Sequence, residues 1–534
     1  MSDNSIKYQS KDIAGKLANG FLKNPLTALL GAFLLLMGYL ALNIMPREED
    51  PQIAISGGTI IVPMPGASAA QIEKVIVNPL ERRLQEIKGI EHIYGMAMDN
   101  VGVVNVMYYI GQNREDSNLK LYDKIMQNMD ELPNGAMQPQ IKPFDIDIDI
   151  PIVTVAFYAK NPAKTNEIEL YKAVKTLQQE VNGIQNVSKT TLQGAHKAQF
   201  NVQVDLDKLS GYNLSLGQIM QSIGAVTKGV PDVKSRTKNG ELVVIGIENA
   251  IEDIEDVGDI AVADYGGSLI YLKDVATITE GTDIQNFKSA TLTFKDTNSS
   301  KFSPEYKQIT LTASKLANTN AVTVANGVLD TIKSHDNELA SAGIGYVVTR
   351  NYGIRADHAV NELMHHLIIT IVIIALMLVF ALGWRESLIV TFTVPAILAI
   401  TIFIAYLGGQ TINRITLFAF LLSLGLLVDA AIIVIENIHR HLHGHGNENQ
   451  TMEELLVEAT DEIGPPTNVA TLAIILTMVP MAFVGGMMGS FMKPIPYNVP
   501  VALIASLFVA YIFTPYLSLK LLKKPTHIDT KGTK

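Results

Sequence analysis

Six apolar runs of about twenty residues, near 25–44, 363–382, 388–407, 414–437, 468–488 and 498–519, constrain this chain more than any other feature. Each is long enough to cross roughly 30 Å of hydrocarbon at about 1.5 Å per residue. A segment that crosses lipid must satisfy its own backbone, as a helix does. An even number of spans puts both termini on one side, and Lys and Arg in the tails and short loops orient them. One side collects Lys7, Lys11, Lys16, Lys23, Arg385, Arg440, Lys520, Lys523, Lys524, Lys531 and Lys534; the other holds only Arg414 and Lys493. The termini are therefore expected in the cytoplasm, with residues 46–362 outside. The first run is longer than a signal-peptide core and no small-residue cleavage site follows it, so it reads as an uncleaved span. Pro395, Pro480, Pro500 and Pro515 fall inside runs, where neighbouring helices can satisfy the freed carbonyls. Trp384 sits at a tight turn between runs, a common interfacial place for Trp.

The long polar stretch between the first two runs carries most of the formal charge of −10. An acidic balance speaks against a nucleic-acid partner, which usually selects basic surfaces. With no cysteine in the chain, disulfides, thiolate nucleophiles and thiolate metal sites are excluded. The stretch contains an internal repeat: LQEIKGIEHI at Leu84–Ile93 recurs as QQEVNGIQNV at Gln178–Val187. The first copy ends an amphipathic pattern of Ile72, Val75, Ile76, Leu80, Leu84 and Ile87 at three- and four-residue spacing. A glycine, Gly89 or Gly183, is expected to stop each helix. Strand-like segments precede and follow both copies, so two units of split-βαβ design are expected. Residues 199–271 read as strand-rich inserted material, and 309–349 as a last strand–helix–strand. The alternating DIDIDI of Asp145–Ile150 reads as a connecting strand with one solvated side, or as three carboxylates offered to a cation. The fold class is thus an α+β membrane protein. Its expected divisions are a cytoplasmic segment 1–24, a first span 25–45, subdomains 46–145 and 146–362, spans two to six over 363–520, and a tail 521–534.

The chemistry is concentrated in SLGLLVDAAIIVIENIHR, Ser423–Arg440. Asp429 lies well inside an apolar run, where a charge costs about 3 kcal/mol even on conservative scales. Burial disfavours its anion, so a carboxyl there is poised to take and release a proton. The alternative is a helix–helix hydrogen bond with no titration. Glu436 follows two turns later on the same face, as a second proton site or as a membrane-edge carboxylate reaching water. His439, His441, His443 and His445 could bind zinc, copper or nickel, or simply form a solvated polar loop. Met478, Met481, Met487, Met488 and Met492 could relay Cu(I) or fill apolar packing. His365 and His366 read as interfacial anchors. Nothing resembles a catalytic triad, a phosphate-cradling loop or a zinc-protease helix, so neither an enzyme nor a cofactor is expected.

GLLVDAAIIVIENIHR resembles the fourth-span signature of resistance-nodulation-division efflux transporters. PREEDPQI (Pro46–Ile53), VPMPGAS (Val62–Ser68), GWRESLIV (Gly383–Val390), NRITLFAF (Asn413–Phe420) and MAFVGGMMGSFMKPIP (Met481–Pro496) are similar to the same family. The resemblance implies a trimer in the inner membrane of a Gram-negative bacterium. It also implies split-βαβ porter subdomains and a docking subdomain near 199–271. The span-four aspartate would carry protons in exchange for a small-molecule substrate, and a periplasmic adaptor and an outer-membrane channel would be partners. Two departures matter. Family members carry a second six-span half that supplies a lysine to pair with the aspartate, so a separately encoded second half is expected here. Ala430 stands where drug exporters have a second aspartate. Heavy-metal exporters have one aspartate and a glutamate at the place of Glu436, with a further acid where this chain has Ser423. The expectation is export of amphiphilic organic compounds. The rivals are heavy-metal export, a non-pumping accessory role like that of SecD, and an inactive half-gene product.

Overall fold

The computed structural model describes residues 8–145, 149–162, 164–195, 197–227, 233–236, 242–245, 251, 253–265, 267–282, 289–295, 301–444 and 450–523. Six of its helices are long and apolar enough to cross a membrane: Leu26–Ile44, Tyr352–Ala381, Trp384–Leu407, Arg414–His443, Met452–Ala482 and Gly486–Leu521. The chain is a multi-pass membrane protein. Helices outlast the apolar runs because hydrogen bonding continues past the lipid boundary when caps allow. Span five is the clearest difference, beginning at Met452 with a capping box from Thr451 and Glu454. It ends at Ala482, short of the expected 488, and the chain turns at Gly486, whose φ of 73° is open to glycine.

Spans three, four and six form the centre of the bundle. Of their most apolar stretches 56%, 56% and 67% is buried, against 17%, 6% and 17% for spans one, two and five. Leu424, Leu427, Ala431, Val434 and Ile435 of span four and Val499, Ala502, Leu503 and Val509 of span six belong to one buried cluster.

The region between spans one and two is α/β, with antiparallel sheets. Strands β1 (Ser56–Pro63), β2 (Ile90–Met98), β3 (Val101–Tyr108) and β4 (Gln140–Asp145) pair in the order β2–β3–β1–β4. Helix Arg114–Gln127 joins β3 to β4, and a helical stretch over 69–84 joins β1 to β2. Their shared core holds Ile60, Val62, Ile72, Ile76, Leu80, Leu84, Val104 and Leu121. Val75, expected on the buried stripe, is exposed because a π-helical turn at Glu73–Val77 rotates it outward. Gly89 has a left-handed φ of 98° but lies beyond the helix end at Leu84, whereas Gly183 caps its helix with φ −77°.

The second sheet repeats the arrangement. Strand β5 (Val153–Ala159) is flanked by β15 (Ile344–Asn351) and β14 (Tyr306–Lys315), and β6 (Val187–Gln193) pairs with β14. Four strands thus run in the order β6–β14–β5–β15, the same pattern of connections as in the first sheet, the short β13 (Thr291–Leu292) also pairs with β14, and helices Glu167–Asn182 and Ala321–Ser334 share one core with the sheet. Between β6 and β14 lie the pairs β7 (Ala198–Val204) with β12 (Ala276–Thr282), β8 (Val233–Arg236) with β9 (Leu242–Ile245), and β10 (Ala261–Tyr265) with β11 (Ser268–Tyr271). The β7–β12 and β10–β11 pairs pack on a separate core that includes Leu209, Ile219, Val257, Leu272 and Val275. Among the described residues of the DIDIDI run, Asp145 lies in a strand, and the Asp149 carboxylate accepts from the Asp145 N–H at 3.0 Å. Asp147 lies outside the described residues. Strand β15 runs directly into span two, whose first turn is capped by Asn351.

Candidate functional site

Span four starts at a cap built by sequence. The Asn413 carboxamide oxygen accepts from the N–H groups of Ile415 and Thr416, both at 3.0 Å, satisfying donors that a helix start leaves free. From there an apolar stripe including Leu417, Phe420, Leu424, Leu427, Ala431, Val434 and Ile438 faces the bundle and is buried. The opposite stripe carries Phe418, Leu422, Gly425, Asp429 and Glu436, and all five are exposed. Asp429 lies midway along the helix, and Glu436 is about 10 Å further along the axis at the helical rise. None of the hydrogen bonds or ion pairs among the described residues involves either carboxylate.

Asp429 is thus deep along the span yet on a side that this chain's own helices leave uncovered. The sequence sets depth, but which way a residue faces depends on neighbouring helices. Asp429 and Glu436 do share a face. Ala430, by contrast, is 5% exposed inside the bundle, and Ser423 is fully buried with its hydroxyl donating to the Phe420 carbonyl at 2.8 Å. An acid at either position would point into this chain's own core.

At the other end of span four the histidines are tied to neighbouring helices. The His439 ring nitrogen lies 3.2 Å from Glu386 of span three, and His441 lies 2.7 Å from Glu462 of span five. Glu462 also accepts from Arg440 and Asn437. His439 and His443 stack with ring centroids 4.2 Å apart. Among the described residues no three His, Asp or Glu side chains converge as a metal site; His445 lies outside them. His365 and His366 are exposed on the first half of span two, as are Met487 and Met488 beyond span five, while Met478, Met481 and Met492 are half-buried.

Two buried arrangements had no local signal in the sequence. Asp461 of span five receives the Tyr8 hydroxyl at 3.0 Å and the N–H groups of Lys11 and Asp12, both at 2.8 Å. These bonds pin helix Ile13–Leu22 against the bundle. Burial and the Asp461 bond push the Tyr8 hydroxyl up to about 12. Hydrogen bonds to a charged group contribute about 1.5–3 kcal/mol each, so Asp461→Ala is expected to release this helix. Limited trypsin digestion in membranes should then cut at Lys11 and Lys16 at least ~10-fold faster, with the spans intact. The second arrangement joins Glu48 to Lys315, 267 residues apart, in a buried ion pair on the opposite side of the spans.

Residues 17–532 match the family described as AcrB/AcrD/AcrF. An uncharacterized transporter of Haemophilus influenzae is 23% identical over 98% of this chain and 49% of its own length. The toluene efflux pump membrane transporter TtgB of Pseudomonas putida is 25% identical over 96% of the chain and 48% of its own. The multidrug export protein AcrF of Escherichia coli is 26% identical over 97% and 49%. The chain spans about half the length of the curated relatives it matches. A match over nearly the whole chain, six spans and a span-four acid lead to one assignment: this chain belongs to the AcrB/AcrD/AcrF family, the resistance-nodulation-division efflux permeases, which are transporters rather than enzymes.

Proposed function

We propose that this chain is one six-span half of a proton-driven efflux permease that exports amphiphilic organic compounds in exchange for protons. The observation that carries this reading is the open face of span four, where two membrane carboxylates stand on a side the other five spans leave uncovered. A charge at the centre of a span costs about 2.5–3.5 kcal/mol against lipid. A cation on a second six-span unit removes that cost. A carboxyl that is neutral without the cation and ionised beside it can load a proton on one side and release it on the other. Asp429 is the carrier in this scheme, and Glu436 extends the path toward the cytoplasm. One proton moving down about 180 mV supplies about 4 kcal/mol, enough to offset roughly a thousandfold substrate gradient.

The second unit follows from the same face together with the doubled length of the relatives, and the resemblance makes its contribution a lysine. The two sheets with matching strand order act as split-βαβ porter subdomains, and the inserted strand pairs as the docking subdomain. The assembly is a trimer in the inner membrane, with the large region in the periplasm and both termini in the cytoplasm. It works with a periplasmic adaptor and an outer-membrane channel.

The chain lacks cysteine, so Gly425→Cys places a single thiol on the open face, where a Cβ meets no atom within 4 Å. In native membranes this thiol, alkylated with a thiol-reactive photo-cross-linker and irradiated, should attach to a second six-span unit, and unalkylated it should resist a lipid-soluble maleimide at least ~10-fold better than Phe483→Cys, a position that is 82% exposed. Full reaction with the maleimide and no cross-link would remove the basis for a second unit on this face.

A further inference from the structure

Span one leaves the bundle through Pro46–Gln52, and nearly every polar group of that segment is engaged with a different element. Toward the start of span four, the Glu48 N–H donates to the Ile412 carbonyl at 2.9 Å, and the Ile412 N–H donates to the Pro46 carbonyl at 2.8 Å. The Arg414 guanidinium donates to Asp50 at 2.7 Å, and the Thr411 hydroxyl donates to Glu48 Oε2 at 3.1 Å. Toward the second sheet, the Lys315 ammonium at the end of β14 donates to Glu48 Oε1, and the Ala321 N–H at the start of the next helix donates to the Arg47 carbonyl at 3.0 Å. Toward the start of span two, Arg47 pairs with Asp357 at 3.0 Å and Glu49 with Arg355 at 2.7 Å. Glu48 and Lys315 are 3% and 6% exposed.

The Glu48 carboxylate thus holds the start of span four with one oxygen and the end of a sheet strand with the other. A buried ion pair is about as stable as a well-packed apolar pair, but it tolerates far less displacement, because breaking it strands a charge. A cavity of about 510 Å³ lies beside the contact, lined by Gln52, Asn318, Gln410, Thr411 and Asn413 together with Lys493 and Tyr497. The joint between span four and the sheet is therefore hollow on one side of the ion pair, and there the two are held by these bonds.

We propose that Pro46–Gln52 is the strut through which movement of span four reaches the second sheet, with Glu48 and Lys315 as its positioning residues. Asp429 sits on span four below the Asn413 cap. A shift of the helix on proton uptake moves Thr411–Arg414, which draws Glu48 with it and, through Lys315, pulls on β14. The proposal rests on the proton-driven reading above and adds the route by which proton movement becomes sheet movement.

The test uses the complex purified from its native membrane and reconstituted in proteoliposomes, with proton entry and substrate transport read together. Glu48→Gln keeps the bond to Thr411 and removes the charge. Protons moved per substrate should rise roughly tenfold or more, because the spans still pass protons while the sheet no longer follows. Thr411→Val, which leaves the ion pair intact, should raise the ratio a few-fold, about 2–4. The double exchange Glu48→Lys with Lys315→Glu should bring the ratio back to within about threefold of the natural protein. A purely structural role predicts that both flows fall in proportion to folded protein with the ratio unchanged, and that result would overturn the strut. If Glu48→Gln fails to accumulate, Thr411→Val decides: an unchanged ratio there sinks the proposal. Failure of the underlying reading is distinct, since the unmutated complex would then show no substrate-linked proton flux and no effect of Asp429→Asn.

Discussion

Asp429→Asn should abolish export while leaving the protein at its normal level. Asparagine matches the shape of aspartate and removes only the ability to gain and lose a proton. Nothing in the chain's own packing depends on the carboxylate, since it stands on the open face and no bond among the described residues uses it. An uncharged amide at mid-span costs less against lipid than a charge does, so the folding of this chain is not expected to suffer. Export and substrate-linked proton flux are therefore expected to fall ~100-fold or more, to background, in cells that depend on this protein and in proteoliposomes. Glu436→Gln is expected to act more mildly, by about 3–10-fold, because that residue lies near the membrane edge where water can replace it. Unchanged resistance in Asp429→Asn would end the carrier role. The same strain challenged with toxic organic compounds, zinc and copper separates organic from metal export, since Asp429 would serve either cargo.

The second large effect is at Gly38. Span one is mostly uncovered, and it meets span three at closest approach where Gly38 faces Ala399. A Cβ added to Gly38 would lie 2.4 Å from both the Cα and the Cβ of Ala399 and 2.8 Å from its carbonyl oxygen. Contact with backbone cannot be relieved by turning a side chain. Gly38→Leu should therefore cost at least the ~1–3 kcal/mol typical of an overpacked core and push span one off the bundle. Because span one continues into Pro46–Gln52, the displacement would reach the ties to Ile412 and Lys315 as well. The expected readout is a protein level in membranes reduced ~5-fold or more, with melting in detergent lowered by about 1–2 °C per kcal/mol for a chain of this length. Gly20→Ala is the control: a Cβ there meets nothing within 4 Å. Alanine also gains about 1 kcal/mol of helix propensity over glycine, so level and melting should hold or rise. Equal behaviour of the two variants would mean that close packing at Gly38 is not what seats span one.

Length and polarity were enough to find the six spans, because a lipid crossing imposes a number of apolar residues that no tertiary contact can waive. Periodicity likewise located the buried stripe of Ile72, Ile76, Leu80 and Leu84, and the motif around Asp429 pointed to the family. Positions that depend on local backbone form escaped: the π turn that expels Val75, the early end of the first repeat's helix, and the early end of span five at Ala482. The repeat at 84–93 and 178–187 was visible in one dimension, but the common strand order of the two sheets was not, since β6 and β14 meet across more than a hundred residues. What the sequence by itself determined here is depth: how many times the chain crosses, and that Asp429 lies in the middle of a crossing. What only the tertiary structure decided is direction and partnership. It turns Asp429 outward and Ala430 inward, sets Asp461 under the N-terminal helix, and brings Lys315 to Glu48. Those choices follow from packing energies shared among many residues far apart in the chain, and no local pattern encodes them.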